Sequence, residues 1–153
     1  MTNRTTTPRV TRWTEGTAMP WQVIADSAAT GGRFLIGEVR LNPGDPCPAQ
    51  HVHANEHEAI YVIDGVLTVE LGEERIEVNA GDCLVMPPGI PHRFGNLSDV
   101  PVRVIGTVAP TAIEHMYAAE EEYFSTLSGP PAPEELASIL EPYEITVVGP
   151  PLT

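Results

Sequence analysis

Residues 44–65 read GDPCPAQHVHANEHEAIYVIDG, and this stretch decides the fold and holds three candidate metal ligands. His51 and His53 are separated by one residue, and Glu58 follows five residues after His53. Side chains on a β-strand alternate between its two faces, so His51 and His53 point to the same side and can bind one ion together. Residues 81–96, GDCLVMPPGIPHRFGN, add His92. Three imidazoles and one carboxylate form a ligand set that a divalent transition metal accepts.

The first stretch resembles the first conserved motif of the cupin superfamily. That motif consists of Gly, a spacer, His-x-His, three or four residues, Glu, six residues and Gly. The segment from Gly44 to Gly65 departs from it in one respect, because six residues separate Gly44 from His51 where five are usual.

The second stretch resembles the second motif of the same superfamily: Gly, five residues, Pro-x-Gly, two residues, His, three residues and Asn. It is matched at every fixed position, namely Gly81, Pro87, Gly89, His92 and Asn96. The resemblance covers about a third of the chain, from residue 44 to residue 96. It implies that the metal ligands are His51, His53, Glu58 and His92.

Short runs with strand character, separated by turn residues, fill the middle of the chain. The predicted strands are residues 33–41, 58–63, 66–71, 75–78, 83–86 and 100–108, and a further extended segment carries His92. Many short strands at regular spacing favour a sandwich or a barrel. The resemblance selects an all-β fold, the double-stranded β-helix or jelly-roll barrel.

The last third of the chain differs in composition and predicts a short helical extension. Residues 111–127 are rich in Ala, Glu and Met and favour a helix, and residues 133–140 favour a second one that begins at a proline. Residues 143–148 predict a terminal strand or an extended tail, and the final run EITVVGPP loosely resembles the tail of single-domain, quercetin-dioxygenase-like cupins. We therefore expect an N-terminal arm at residues 1–30, the barrel at residues 31–110, and a C-terminal extension of the same domain at residues 111–153.

Charge and cysteine content limit the possible partners and the cellular location. The net charge is −13, with 8 basic against 21 acidic residues, so we expect neither nucleic acid nor an anionic membrane as a partner. Cys47 and Cys83 form no Cys-x-x-Cys pair and suggest free thiols in a reducing compartment. No apolar stretch has signal-peptide or membrane-spanning length, which predicts a cytoplasmic protein.

Three neighbours of the candidate ligands have different expected roles. Glu56 is the weaker carboxylate candidate, because Glu58 has the motif spacing to Gly65, and we expect Glu56→Gln to have little effect. His57 faces away from the metal if it lies on the strand, although it could reach the cavity rim if the strand begins at Glu58. Asn96 is expected to support the fold.

Four protein ligands leave one or two coordination positions open on a five- or six-coordinate ion. This favours one divalent Fe, Mn, Ni, Co or Cu ion over a closed tetrahedral Zn site. The resemblance implies a dioxygenase that acts on a small enolic or phenolic substrate, with Glu58 as the catalytic group that accepts a proton. A redox-neutral isomerase or polyketide-type cyclase and a non-catalytic small-molecule binding protein remain as alternatives.

Strand parity predicts which side chains form the wall of the substrate cavity. The predicted cavity residues are Ile60, Val62, Met86 and Phe94. Tyr61 has the opposite parity and is expected to point outward or into a dimer contact. An apolar wall favours a small aromatic or otherwise hydrophobic substrate.

Open sheet edges and an aromatic N-terminal segment suggest a homodimer. A strand edge is a template for pairing with another chain, and residues 13–24 contain Trp13 and Trp21. We expect this segment to pack across a partner subunit, and the alternative is that the two tryptophans cover their own barrel.

Overall fold

The fold consists of two antiparallel sheets with two helices near the C-terminus, in a computed structural model that describes residues 10–17 and 19–153. The strands are β1 (Trp21–Ala25), β2 (Leu35–Leu41), β3 (Ala49–His53), β4 (His57–Asp64), β5 (Val66–Leu71), β6 (Glu74–Asn79), β7 (Cys83–Met86), β8 (His92–Gly95), β9 (Val102–Ala109) and β10 (Ile145–Pro151). The helices are α1 (Ser27–Thr30), α2 (Glu114–Ser125) and α3 (Pro133–Leu140), and a 3-10 turn follows at Glu141–Tyr143. The predicted β-rich fold and its helical extension are confirmed.

Each sheet has five strands, in the orders β1-β2-β9-β4-β7 and β10-β3-β8-β5-β6. Strands that are adjacent in space are often distant in sequence. For example, β9 pairs with both β2 and β4, and β3 pairs with β8 and β10. The two sheets together form the jelly roll that the cupin resemblance implies.

Two clusters of apolar side chains fill the interior. The first cluster consists of Leu41, Ile60, Val62, Leu67, Val69, Val78, Met86, Val102 and Val104. The second cluster consists of Leu35, Val108, Ile113, Met116, Leu140 and Ile145 and includes contacts from the C-terminal helices. Fully burying one such side chain is worth about 1.5–3 kcal/mol, so both clusters hold the fold together.

The N-terminal segment is more integrated than the predicted arm over residues 1–30. β1 pairs with β2, with Trp21 opposite Val39, so the first sheet begins at Trp21. Trp13 contacts its own chain, because the Arg40 guanidinium lies 4.2 Å from its ring centre. This contact agrees with the alternative in which the segment covers its own barrel, and the homodimer stays a prediction. The part of the predicted arm at residues 1–9 and residue 18 lies outside the described residues.

Gly65 makes the turn between β4 and β5 possible. Its φ is +79°, and an added Cβ would lie 2.6 Å from the carbonyl oxygen of Pro101 and 2.9 Å from a methyl group of Val102. Both the left-handed backbone and the close approach therefore require glycine.

We expect Gly65→Ala to lower the free energy of unfolding by about 3 kcal/mol, measured by urea denaturation. Gly81→Ala is the matched control, because Gly81 also has a positive φ of +95° but open space where its Cβ would lie. The control should lose about 1 kcal/mol from backbone strain alone. An equal loss of unfolding free energy in the two variants would show that the close approach of Pro101 and Val102 to Gly65 has no effect.

Candidate metal centre

The four candidate ligands come from three strands that lie in both sheets. His51 and His53 lie on β3, His92 lies on β8 directly opposite His51, and Glu58 lies on β4 of the other sheet. Directly paired residues in antiparallel strands share a face, so His51 and His92 point into the interior together. The barrel thus brings together residues separated by 41 positions in sequence, from 51 to 92.

The ligand atoms converge on a small volume. One nitrogen or oxygen from each of the four side chains lies within 4.8 Å of all the others. His92 Nε2 lies 2.8 Å from Glu58 Oε2, and His53 Nε2 lies 3.5 Å from the same oxygen. The predicted ligand group is therefore assembled as one cluster.

Hydrogen bonds orient all three imidazoles through their Nδ1 atoms. The partners are the carbonyl oxygen of Ala49 for His51 at 2.7 Å, the carbonyl oxygen of Ile90 for His92 at 3.0 Å, and Glu56 Oε2 for His53 at 3.4 Å. Each partner is an acceptor, so Nδ1 carries the proton and Nε2 keeps a free lone pair in the neutral ring. This is the tautomer in which Nε2 can bind a metal.

The electrostatics of the cluster favour a cation. Burial and the neighbouring His92 lower the pKa of His51 to about 4, which keeps its imidazole neutral. Burial opposes ionisation of Glu58, but the hydrogen bond from His92 and the nearby imidazoles hold its pKa at about 2. Burial also lowers the pKa of His92, and its hydrogen bond with Glu58 outweighs this and raises the pKa above the usual value. The raised pKa of His92 shows that Glu58 attracts positive charge to this position, and a metal cation held by the imidazole nitrogens and the carboxylate would supply that charge.

The donor set fits a divalent transition metal. With Nδ1 protonated, His92 Nε2 and Glu58 Oε2 are both acceptors, so their 2.8 Å approach requires a proton or a metal cation at this position. Imidazole nitrogens with one carboxylate suit Fe, Mn, Co, Ni, Cu and Zn, and the prediction against Zn stays a prediction.

Glu56 lies outside the ligand group, as its spacing predicts, but it contacts one of the candidate ligands. Its side chain is 1 % exposed, one oxygen bonds His53, and the other oxygen has no hydrogen-bond partner among the described residues. A carboxylate that holds the far nitrogen of a ligand histidine fixes the ring and raises its basicity. This contact favours a larger effect of Glu56→Gln than the spacing alone predicts. Its position three residues after His53 was the available signal.

Three further side chains near the site lie where the sequence predicts. His57 is exposed and lies outside the ligand group, and Tyr61 is 47 % exposed on the outer surface, both as expected from parity. The buried Asn96 donates to the carbonyl oxygens of Leu41 and Val100, which confirms a role in the fold.

The predicted cavity residues lie deeper than expected. Ile60, Val62 and Met86 are part of the packed first cluster, and Phe94 packs against it. Their inward orientation is confirmed, but their tight packing leaves a role in substrate contact as a prediction. The second apolar cluster, which contains Val108 and Ile145, lies beside the candidate ligands. In the strand pairing, Val108 lies opposite Glu58 and Ile145 lies opposite His53.

Comparisons with known proteins agree with this architecture. The family model described as the cupin domain matches residues 37–108, a range that contains all four candidate ligands. The TT1209 protein from Thermus thermophilus, a solved structure, is 27 % identical with a TM-score of 0.55 over 66 % of this chain and 90 % of that chain.

Two curated relatives match at similar identity. Quercetin 2,3-dioxygenase from Bacillus subtilis (strain 168) is 31 % identical over 117 residues, which is 76 % of this chain and 34 % of that protein. Tetracenomycin polyketide synthase protein TcmJ from Streptomyces glaucescens is 31 % identical over 84 residues, which is 55 % of this chain and 54 % of that protein. The chain therefore spans about a third to a half of the length of these relatives.

Among the described residues, no helix is long and apolar enough to cross a membrane. The motif register, the two antiparallel sheets, the cluster of four ligand side chains and the family match all lead to one assignment. Residues 37–108 of this chain form a cupin domain.

Proposed function

We propose that the chain is a metal-dependent cupin enzyme that oxidises a small enolic or aromatic substrate with dioxygen. The observation that carries this proposal is the set of three imidazoles, each held by its Nδ1 atom, around the ionised Glu58. The relative named quercetin 2,3-dioxygenase, which is 31 % identical, supports the choice of a dioxygenase reaction. The chain spans 34 % of that protein.

Exposure of the ligands indicates the side from which a substrate would approach. The side chains of His53 and His92 are 3 % and 2 % exposed, whereas Glu58 keeps 15 % of its side chain accessible. His51 is also less deeply buried than His53 and His92. A substrate oxygen would therefore reach the centre from the side of Glu58 and His51.

A bound divalent metal would supply Lewis-acid activation of the substrate and, if redox-active, electron transfer to dioxygen. The chain supplies the rest of the chemistry. His51, His53 and His92 would hold the ion through Nε2, while Glu58 would balance part of its charge and accept the proton of an enol or phenol. Apolar side chains such as Val108 and Ile145 exclude water from the same interior face.

Oxygen consumption tests the proposed reaction. Anaerobically purified protein, loaded separately with Fe(II), Mn(II), Ni(II), Co(II) and Cu(II), should consume oxygen with at least one member of a panel of enols and phenols. The control is the Glu58→Gln variant, which should lose turnover. Turnover of a substrate without oxygen uptake would contradict the oxygenase proposal.

A redox-neutral Lewis-acid enzyme is the second candidate function. The relative named as a polyketide synthase protein, 31 % identical over 84 residues, is the observation that favours it. Such an enzyme would convert its substrate equally well under nitrogen, and a non-catalytic binding protein would bind a ligand and leave it unchanged.

Removal of a ligand histidine tests the metal centre itself. His51→Ala and His92→Ala should each lose stoichiometric metal, measured by elemental analysis, and keep the circular dichroism of a folded barrel. His57→Ala is the matched control, because His57 is exposed and lies outside the ligand group, and it should keep its metal. Full metal occupancy in both ligand variants would contradict the assignment.

Removal of the Glu56 charge tests whether its contact with His53 Nδ1 strengthens metal binding. Glu56→Gln should weaken metal affinity by about tenfold in a chelator competition, because the His53 ring loses a charged partner. Glu73→Gln, at an exposed carboxylate between β5 and β6, should leave the affinity unchanged. An affinity equal to that of the unmodified protein would show that Glu56 has no part in the centre.

A further inference from the structure

Helix α2 brings a row of side chains to the metal end of the barrel. Ile113, Met116, Tyr117 and Glu120 follow one another at intervals of three, one and three residues, which places them on one face of the helix. Ile113 and Met116 belong to the second cluster, and Tyr117 packs against it. The helix therefore covers the apolar side chains that lie beside the ligands.

The position of α2 is fixed at two points by hydrogen bonds to the N-terminal segment. Glu114 accepts a hydrogen bond from the backbone N–H of Ser27 at 3.1 Å, and Glu121 accepts one from the backbone N–H of Met19 at 3.2 Å. The row of side chains is thus presented by an anchored element, which favours a defined site over a mobile cover.

Two members of the row are polar and lack a protein partner. Tyr117 and Glu120 make no side-chain hydrogen bond or ion pair within the described residues, and Glu120 is 8 % exposed. The enclosed side-chain atoms without a partner in that part of the chain are Trp13 Nε1 and Glu56 Oε1. The Tyr117 hydroxyl and the Glu120 carboxyl therefore border space that water or a ligand atom can enter.

Electrostatics connect Tyr117 with both the metal centre and Glu120. Burial raises the pKa of the Tyr117 hydroxyl well above its usual range, and the carboxylates of Glu58, Glu120 and Glu56 raise it further. Tyr117 is therefore a neutral hydrogen-bond donor. Burial raises the pKa of Glu120 to about 7, so its carboxyl group can donate or accept a hydrogen bond near neutral pH.

Glu120 is largely desolvated, and an apolar residue at position 120 would continue the row of Ile113 and Met116 without the cost of desolvating a carboxyl group. We propose that Tyr117 and Glu120 form a second recognition point of the substrate cavity, which binds a distal oxygen of a ligand whose other oxygens reach the metal centre. This inference rests on the proposed function. It specifies the substrate class as a small enolic or phenolic molecule with oxygen at both ends and an apolar middle.

A pair of ligands that differ by one hydroxyl group tests this proposal. Kojic acid and allomaltol share the same metal-binding hydroxyketone, and allomaltol lacks the distal hydroxyl. Binding of each to the Co(II)-loaded full chain would be measured by calorimetry, with the metal content and the thermal unfolding of every variant measured in parallel. We expect kojic acid to bind about five to ten times more tightly than allomaltol.

Tyr117→Phe should remove this advantage by weakening kojic acid and leaving allomaltol unchanged, and Glu120→Gln should reduce the advantage. Tyr61→Phe, at an exposed tyrosine on the outer surface, should retain it. Equal affinities in the unmodified protein, or an equal loss for both ligands in Tyr117→Phe, would overturn the proposal. Because the measurement needs no oxygen or turnover, its failure is distinguishable from failure of the oxygenase proposal.

Discussion

The ionised Glu58, held among three imidazoles inside a barrel, is the constraint on which the rest of the structure depends. Every Nδ1 atom of these imidazoles is committed to an acceptor, so their Nε2 lone pairs meet the carboxylate at distances as short as 2.8 Å. Acceptors so arranged repel one another unless a proton or a metal cation lies between them. Pairing of β3 with β8 and the packing of both sheets keep them together, and this makes a metal centre the simplest physical interpretation of the fold.

Much of this arrangement could be predicted from the sequence, because two motifs resemble those of the cupin superfamily and the His-x-His spacing places His51 and His53 on one strand face. The bounds of β5, β7 and α3 agree with the predicted segments, since turn residues mark their ends. Parity alone could not rank the interior side chains by depth, so Val62 was predicted as cavity wall and lies in the packed core. Parity also fails in turns, and Glu56 lies immediately before β4, where the chain is irregular.

Other parts of the site depend on contacts between segments that are distant in sequence. α2 reaches the ligands through Val108 and Ile145, which are themselves placed by pairing with β4 and β3. The sequence predicts the helix but not the surface that it covers. Glu120 illustrates the consequence, because a glutamate in a helix of high acidic content is expected to be solvated and is instead buried in the fold. A desolvated carboxyl lowers stability, which is a common cost of functional sites.

X-ray absorption spectroscopy of the metal-loaded protein tests the central claim most directly, because it counts and identifies the atoms around the ion. Three imidazole nitrogens and at least one carboxylate oxygen are expected in the coordination shell, and His53→Ala should remove one imidazole from it. A shell that contains one imidazole or none in the unmodified protein would contradict the claim.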